Sequence, residues 1–289
     1  ADGDGNVVVD GDNARWQNAG ALIVGAQGSG AVDINNGTVS SQSGTIGSAA
    51  GADGRVRVAG DTANWNSTDG IVVGFEGSGE LAIEDGALAS SGAVVLGAAA
   101  SGSGTLSLSG TAGARGTLET GIVQKQDGAG TVTLDGGVLR ATADEGDFLS
   151  GFSSGEVRID AGGAWLDNNG HDVGIQTDLQ GAGGLTKIGA GTLVLSGANT
   201  YQGATNVETG TLIVNGDLTS SPLTVHNGAG LGGTGTVGTT RLGAGSTLAP
   251  GNSIGTLTVD GDLTFDSDTT YQVEVAPDGS SGDRVQVTG

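Results

Sequence analysis

The feature that most constrains this 289-residue sequence is a series of short apolar alternations separated by glycine-rich turns. The clearest example is residues 181–216, where alternating runs occupy 184–188, 191–195 and 210–214 with no helical period between them. Alternation at period two predicts half-buried strands. Because strands this short bury little surface alone, they must stack on strands like themselves, as the turns of a solenoid do.

An internal repeat organises the first part of the chain. The pattern of residues 20–34 returns at 70–83, and Gly25 and Gly74 mark a step of 49 residues between the two copies. Looser versions of the same pattern lie midway between them. For residues 1–140 we therefore predict a repeating unit of two turns, each of roughly 25 residues, which is a usual solenoid period.

The repeat is interrupted once before it resumes. Residues 141–155 carry several acids together with Phe148 and Phe152, and we predict that they form a loop protruding from the solenoid. Further turns are predicted over 156–289, including the stretch at 181–216. With roughly 25 residues and a rise of about 4.8 Å per turn, the chain predicts on the order of 11 or 12 turns in a rod roughly 55 Å long.

Part of the sequence also resembles a known family. Residues 185–203, LTKIGAGTLVLSGANTYQG, followed by GTL at 210–212, are similar to the passenger-associated transport repeat of bacterial autotransporters. Residues 248–263 and 283–289 are similar to segments near the C-terminal end of autotransporter passengers. The resemblance implies an all-β fold, a right-handed parallel β-helix that forms a single elongated domain. It also implies type V secretion through the outer membrane by the protein's own C-terminal β-barrel translocator, which we expect, like the signal peptide, to lie outside this chain.

Composition excludes several classes of fold and partner. Glycine accounts for 60 residues, which would suit disorder, but hydrophobic residues make up 36% of the chain and recur in register, which disordered segments lack. Lysine and arginine total 10 against 32 aspartates and glutamates, giving a formal net charge of -22 with no basic cluster. Nucleic acid is therefore excluded as a partner and anionic membranes are disfavoured, because both bind proteins through basic patches.

Cysteine is absent, so the chain can form neither a disulfide nor a thiolate metal site. The lack of disulfides also suits a protein that is threaded through a pore from an oxidising compartment. No segment approaches the roughly 20 consecutive apolar residues of a membrane helix. We interpret the acidic charge as a device that keeps a repetitive β surface soluble.

Three motifs that could mark a site are better explained by the repeat. Residues 151–155, GFSSG, fit the nucleophile-elbow pattern, but no helix-forming stretch follows and the only histidines are His171 and His226. Residues 228–233, GAGLGG, have dinucleotide-motif spacing but likewise no following helix. Residues 2–6 resemble the opening of a calcium loop whose later positions do not match. We predict no catalytic, cofactor-binding or metal-binding residues and no enzymatic activity in this chain.

Side-chain direction can be predicted at a few positions. Trp16 and Trp65 stand at equivalent places in successive copies of the repeat, and Arg115 stands there in the third copy. Exposed tryptophans could form a sugar-binding platform, but a repeated aromatic is more often packed in the core, and we predict packing. In the later alternating strands, we predict that leucines such as Leu193 point inward and that Val194 points outward.

The resemblance implies a surface-displayed or secreted passenger that acts as an adhesin or self-association factor, with a role in virulence or biofilm formation. The expected partner is a host-surface glycan or protein, or another passenger. Association of two such acidic rods would require their charge to be screened, with divalent cations bridging carboxylates such as Asp33, Glu80, Glu84 and Asp85. The alternative is the β-helical stalk of a secreted enzyme whose catalytic domain lies outside this chain, and no residue distinguishes the two.

Overall fold

The computed structural model describes residues 3–289, which form 35 strands and no helix. No helix able to span a membrane is therefore found among these residues. The strands are short because glycine-rich turns interrupt the alternation every few residues. In chain order they are β1 (Gly5–Asp10), β2 (Arg15–Gln17), β3 (Ala21–Val24), β4 (Ser29–Asn35), β5 (Thr38–Ile46), β6 (Asp53–Ala59), β7 (Asn64–Val73), β8 (Ser78–Glu84), β9 (Leu88–Ser91), β10 (Val94–Leu96), β11 (Ser103–Thr111), β12 (Ala114–Arg115), β13 (Thr117–Thr120), β14 (Val123–Lys125), β15 (Ala129–Asp135), β16 (Val138–Ala141), β17 (Leu149–Ser150), β18 (Val157–Ile159), β19 (Ala164–Asp167), β20 (Val173–Ile175), β21 (Gln180–Gly181), β22 (Leu185–Ile188), β23 (Thr192–Leu195), β24 (Thr205–Val207), β25 (Thr211–Val214), β26 (Asp217–Leu218), β27 (Leu223–Val225), β28 (Gly230–Gly233), β29 (Thr236–Val237), β30 (Thr240–Leu242), β31 (Thr247–Pro250), β32 (Thr256–Val259), β33 (Leu263–Phe265), β34 (Thr270–Tyr271) and β35 (Arg284–Val287).

The strands stack into sheets that run along the axis of a solenoid. Sheet 1 has the order β1-β4-β6-β8-β11-β15-β18-β21, with β12 beside β11. Sheet 2 has the order β17-β14-β10-β7-β9-β13-β16-β19-β22-β24-β27-β30-β33, and β5 joins β2 and β3 to β7. Sheet 3 is β20-β23-β25-β28-β31-β34, and sheet 4 is β26-β29-β32-β35. Strands pair in parallel with their equivalents one turn later, so the chain forms a parallel β-helix of about 12 turns, as predicted.

The length of a turn changes along the solenoid. In sheet 1, Gly54 pairs with Gly79, so an early turn takes 25 residues. In sheet 2, Leu185 pairs with Thr205 and Thr205 with Leu223, so the later turns take 20 and 18 residues. The sequence predicts one turn length of roughly 25 residues throughout. The later turns are shorter because strands of two to four residues in sheet 4 take the place of the long strands in sheet 1.

The interior is a continuous stack of Val, Leu and Ile side chains that lie over one another in successive turns. In sheet 3, Leu193, Leu195 and Leu212 are fully buried, whereas Val194 is only half-buried, which confirms the predicted inward direction of the leucines. A similar set of inward residues, called the interior column below, runs through sheet 2. Its members are Val39, Trp65, Ala89, Leu118, Leu139, Leu166, Lys187, Val207, Val225 and Leu242.

Carboxylates at the corners hold one turn to the next. Asp172 Oδ1 accepts a hydrogen bond from the backbone N–H of Thr192, one turn later, at 2.7 Å. Asp178 Oδ1 accepts one from the backbone N–H of Ala198, also at 2.7 Å. Charge-assisted hydrogen bonds of this kind satisfy corner N–H groups that lie outside the strand ladders. Part of the acidic charge is therefore structural as well as solubilising.

A recurring glycine lies where the early turns leave the second part of sheet 2. Gly47 and Gly74 have φ of 71° and 72°, in the left-handed region that favours glycine. A Cβ at Gly47 would lie 2.0 Å from the carbonyl oxygen of Ser78, and one at Gly74 would lie 2.2 Å from that of Ser103. The periodic glycines of the sequence repeat are thus required because each corner is pressed against the backbone of a neighbouring turn.

Residues 141–155 do not form the single protruding loop that the sequence predicts. Phe148 and Leu149 are buried, and Leu149 pairs with Val123 of β14. The backbone of Glu145 forms a bridge with Val173 in the following turn. The segment therefore contributes a wall of its turn, because two adjacent apolar residues fill the core even though the acids around them break the alternation.

Candidate functional site

The GFSSG pattern does not assemble a nucleophile. Ser154 Oγ accepts a hydrogen bond from Gln180 Nε2 at 2.5 Å. His171 Nδ1 lies 3.1 Å from Asp144 Oδ1, which is an acid–histidine pair on the surface. Among the described residues, neither Ser153 nor Ser154 hydrogen-bonds this histidine, although a serine mechanism needs that contact. The pattern is a surface turn whose serine bonds a neighbouring turn.

The other two motifs also belong to the solenoid. The GAGLGG pattern at 228–233 is a turn followed by β28, with Ala229 and Leu231 buried, so its glycines serve strand packing and not phosphate binding. Of the calcium-like segment, Asp2 lies outside the described residues. Within residues 3–289, no group of three or more His, Asp or Glu side chains is arranged to hold a metal ion.

Trp65 is a core residue, as predicted. It belongs to the interior column, is fully buried, and donates its indole N–H to Ser41 Oγ at 3.2 Å. Its ring lies over Gly44, where a Cβ would come within 2.6 Å of the ring carbon Cζ2. Trp16 occupies the equivalent place two turns earlier and is partly buried against the same core.

Arg115 does not replace these tryptophans in the core. The hairpin of β11 and β12 carries Arg115 out of the wall, and Leu118 takes the position in the interior column. The guanidinium of Arg115 lies 3.9 Å from the centroid of the Trp165 ring, on the outside of sheet 2, and donates to the carbonyl of Gly136 at 2.6 Å. This cation–π contact clamps the outer surface.

The most unusual buried group is Lys187, which takes a place in the interior column. It is fully buried, and its Nζ donates to the carbonyls of Gly189 at 2.8 Å and Ile188 at 3.4 Å. A Cβ at Gly210 would lie 2.6 Å from this Nζ, so glycine leaves room for the ammonium group. Alternation places Lys187 on the same face as Leu185, which is the sequence signal that predicts its burial.

The Lys187 ammonium makes stability depend on pH. Burial lowers the pKa of Lys187 from 10.5 to about 8, and the carboxylates of Asp167 and Asp172 offset this only in part. Above pH 8 the folded chain has therefore released a proton that the unfolded chain keeps, so the free energy of unfolding should rise with pH. Burial raises the pKa of Tyr201 above its ordinary 10.0, which has the opposite effect from pH 10 upward.

We expect urea unfolding between pH 7.5 and about 10 to show increasing stability in the unaltered chain. The control is Lys187→Met, which keeps the length of the side chain and removes the titrating group. Its stability should change much less with pH over that range. An equal pH dependence in both proteins would contradict the assignment of the effect to Lys187.

The outside of sheet 1 is charged and paired. Arg55 lies between Asp33 at 3.9 Å and Glu80 at 3.8 Å, while Arg57 contacts Glu84 and, at 3.8 Å, Asp85. The alternating sequence places these side chains in outward positions of neighbouring strands. The four carboxylates expected to bridge divalent cations therefore already face arginine side chains, which sequence separation alone does not reveal.

Comparisons with known proteins agree with this architecture. A family model described as passenger-associated-transport-repeat matches residues 185–214. Two proteins named extracellular serine protease, both from Serratia marcescens, are 49% identical over 104 residues and 44% identical over 105 residues. The protein named adhesin BmaC autotransporter, from Brucella suis biovar 1 (strain 1330), is 33% identical over 104 residues.

These matches are partial. Each Serratia match covers 36% of this chain and 10% of the relative, and the Brucella match covers 34% of this chain and 3% of the relative. The chain thus matches about a tenth, or less, of the length of these relatives. The matched repeat, the stacked parallel turns and the similarity to these secreted and autotransporter proteins together show that this chain is an autotransporter passenger-type domain.

Proposed function

We propose that this passenger-type domain is a non-catalytic adhesive rod, displayed on the bacterial cell surface or secreted. The observation that carries the proposal is the outer surface, where equivalent side chains of successive turns lie side by side in register. Thr105 and Thr131, for example, are paired across one turn with their hydroxyls 3.4 Å apart. Repeated identical groups at a fixed spacing favour multivalent attachment to a repetitive host-surface glycan, a protein or another copy. Similarity to a protein named as an adhesin supports this role.

The proposal is tested with beads coated with the purified chain and beads coated with albumin. We expect the chain-coated beads to adhere to cultured host cells or to each other well above the albumin level, and to show no hydrolysis of casein. Adhesion at the albumin level would overturn the proposal. Casein hydrolysis that is lost in Ser154→Ala would overturn its non-catalytic part.

A second candidate is the stalk of a secreted enzyme, favoured by the identity of 49% to a protein named extracellular serine protease. In that case, the solenoid would hold a catalytic domain of a longer protein away from the cell surface, and the rod itself would bind nothing. Adhesion at the albumin level in the bead experiment would favour this candidate.

Self-association, if it provides the adhesion, should depend on ionic strength. A net charge of -22 makes two rods repel, and salt screens this repulsion to a distance of about 8 Å at physiological ionic strength. Sedimentation velocity should therefore show a monomer in dilute buffer and larger species in physiological salt. A monomer under both conditions would remove self-association and leave attachment to a foreign ligand.

A further inference from the structure

The outer surfaces of the same early turns differ sharply in charge. On sheet 1, arginines and carboxylates pair across turns. On sheet 2, the outward side chains of the first three turns are amides and hydroxyls, and we call the five residues Gln17, Thr38, Ser40, Asn64 and Asn66 the neutral face. In a chain of net charge -22, this absence of acids from one face of three successive turns is notable.

The neutral face forms two columns in register. Thr38 pairs with Asn64 in one column, and Ser40 pairs with Asn66 in the other, with Gln17 completing the second. Side chains within a column are about 4.8 Å apart, and the columns are roughly 7 Å apart because they are two residues apart along each strand. The floor is continuous because β5 and β7, of nine and ten residues, run through both parts of sheet 2.

The side chains of the neutral face are not used by the fold. Among the described residues, none of the five makes a side-chain hydrogen bond to another part of the chain, although they remain half-buried or exposed. They line a shallow groove of about 430 Å³, whose edges also include Arg15 and Thr62. Amides and hydroxyls both donate and accept hydrogen bonds, so this groove presents an array of unused groups of both kinds.

The columns also define where the groove ends. In the fourth turn Leu88 follows Asn64, and in the fifth turn Glu119 follows Ser90 in the neighbouring column. The neutral face is therefore on the order of 10 Å long along the solenoid axis. This length limits the ligand to a short segment of an extended molecule.

We propose that the neutral face binds an uncharged, linear oligosaccharide that lies along the solenoid axis. Sugar hydroxyls donate and accept hydrogen bonds as the amide and hydroxyl side chains do, and an uncharged chain is not repelled by the acidic rod. An extended β-1,4-linked glycan is the matching shape, because it is flat and repeats along its length, as the two columns do. This inference rests on the proposed adhesive function and names its ligand class.

The binding should be weak at a single site. Each sugar hydroxyl exchanges water for a side chain, which yields little net free energy, so we expect a Kd of roughly 0.1 to 1 mM. Isothermal titration of the purified chain with cellohexaose and with chitohexaose measures it directly. The acidic probe hexagalacturonate is expected to bind at least about tenfold more weakly.

The variants are chosen to keep the fold intact. The double change Asn64→Ala and Asn66→Ala removes two outward amides and should weaken binding of the neutral hexasaccharide by about tenfold or more. The control change, Thr105→Ala and Thr131→Ala, removes two outward hydroxyls from sheet 1 and should leave binding unchanged. Circular dichroism and urea unfolding establish that both variants are folded.

The outcomes separate the site from the function. If neither neutral hexasaccharide binds up to about 10 mM, or if binding survives the double asparagine change, the inference is overturned. Equal or tighter binding of hexagalacturonate also overturns it. If the coated beads still adhere in those cases, the adhesive function stands at another surface. If the beads do not adhere but the hexasaccharide binds as expected, the site stands and the adhesive function falls.

Discussion

Replacing Trp65 with alanine is expected to lower the free energy of unfolding by about 3 to 5 kcal/mol. The side chain is fully buried in the interior column, and its removal would leave a cavity above Gly44 and free the hydroxyl of Ser41 from its indole partner. Adjacent turns cannot close this cavity without shifting the wall strands, because each is fixed by its parallel ladder. Equilibrium urea unfolding followed by circular dichroism measures the loss.

Trp165 provides a matched control in the same sheet. It lies on the outside under Arg115 and is only half-buried, so Trp165→Ala should cost at most about 1 kcal/mol, the usual range of a surface cation–π contact with some lost packing. A loss at Trp165 as large as that at Trp65 would contradict the assignment of inside and outside to sheet 2.

Leu193→Ala is expected to cost about 2 to 5 kcal/mol. Leu193 is fully buried in β23, between Val173 of one neighbouring turn and Leu212 of the other. Removing its side chain therefore breaks the contact between two turns as well as within one. In a solenoid, stability is close to a sum over such neighbour contacts, so the loss should appear as a lower midpoint of urea unfolding.

The adjacent Val194 supplies the control for this strand. Its side chain points outward and is half-buried, so Val194→Thr should cost well under half as much as Leu193→Ala. The substitution preserves the β-branched shape and changes only one methyl group. Comparable losses for the two variants would mean that another surface covers the outside of sheet 3.

Much of this architecture could be predicted from the sequence because alternation and turn residues are local signals. The inward direction of Leu193 and the burial of Trp65 follow from alternation and from the internal repeat. The shorter later turns could not be predicted, because the corner that is lost lies between strands of only two to four residues. Such strands carry too little pattern to be recognised one at a time.

Contacts between turns were the harder part to predict. Arg57 pairs with Glu84 although 27 residues separate them, and this pairing depends on the register of β6 and β8. The same reason explains residues 141–155, where Phe148 and Leu149 enter the core at a place that only the neighbouring turns define. The neutral face is likewise invisible in the linear sequence, because its residues come from three separate turns.

The most direct test of the structure measures distances along the solenoid axis. The chain has no cysteine, so pairs of introduced cysteines can carry spin labels without background. Ala31 and Thr131 lie in one outward column of sheet 1, four turns apart, and Thr38 and Thr264 lie in one outward column of sheet 2, ten turns apart.

Pulsed electron resonance on the two doubly labelled proteins should give narrow distributions centred near about 19 Å and about 48 Å, which are four and ten strand spacings. The second distance spans most of the rod, including the matched repeat at 185–214. A broad distribution for either pair, or a peak more than about 10 Å from its expected position, would contradict one continuous stack of parallel turns.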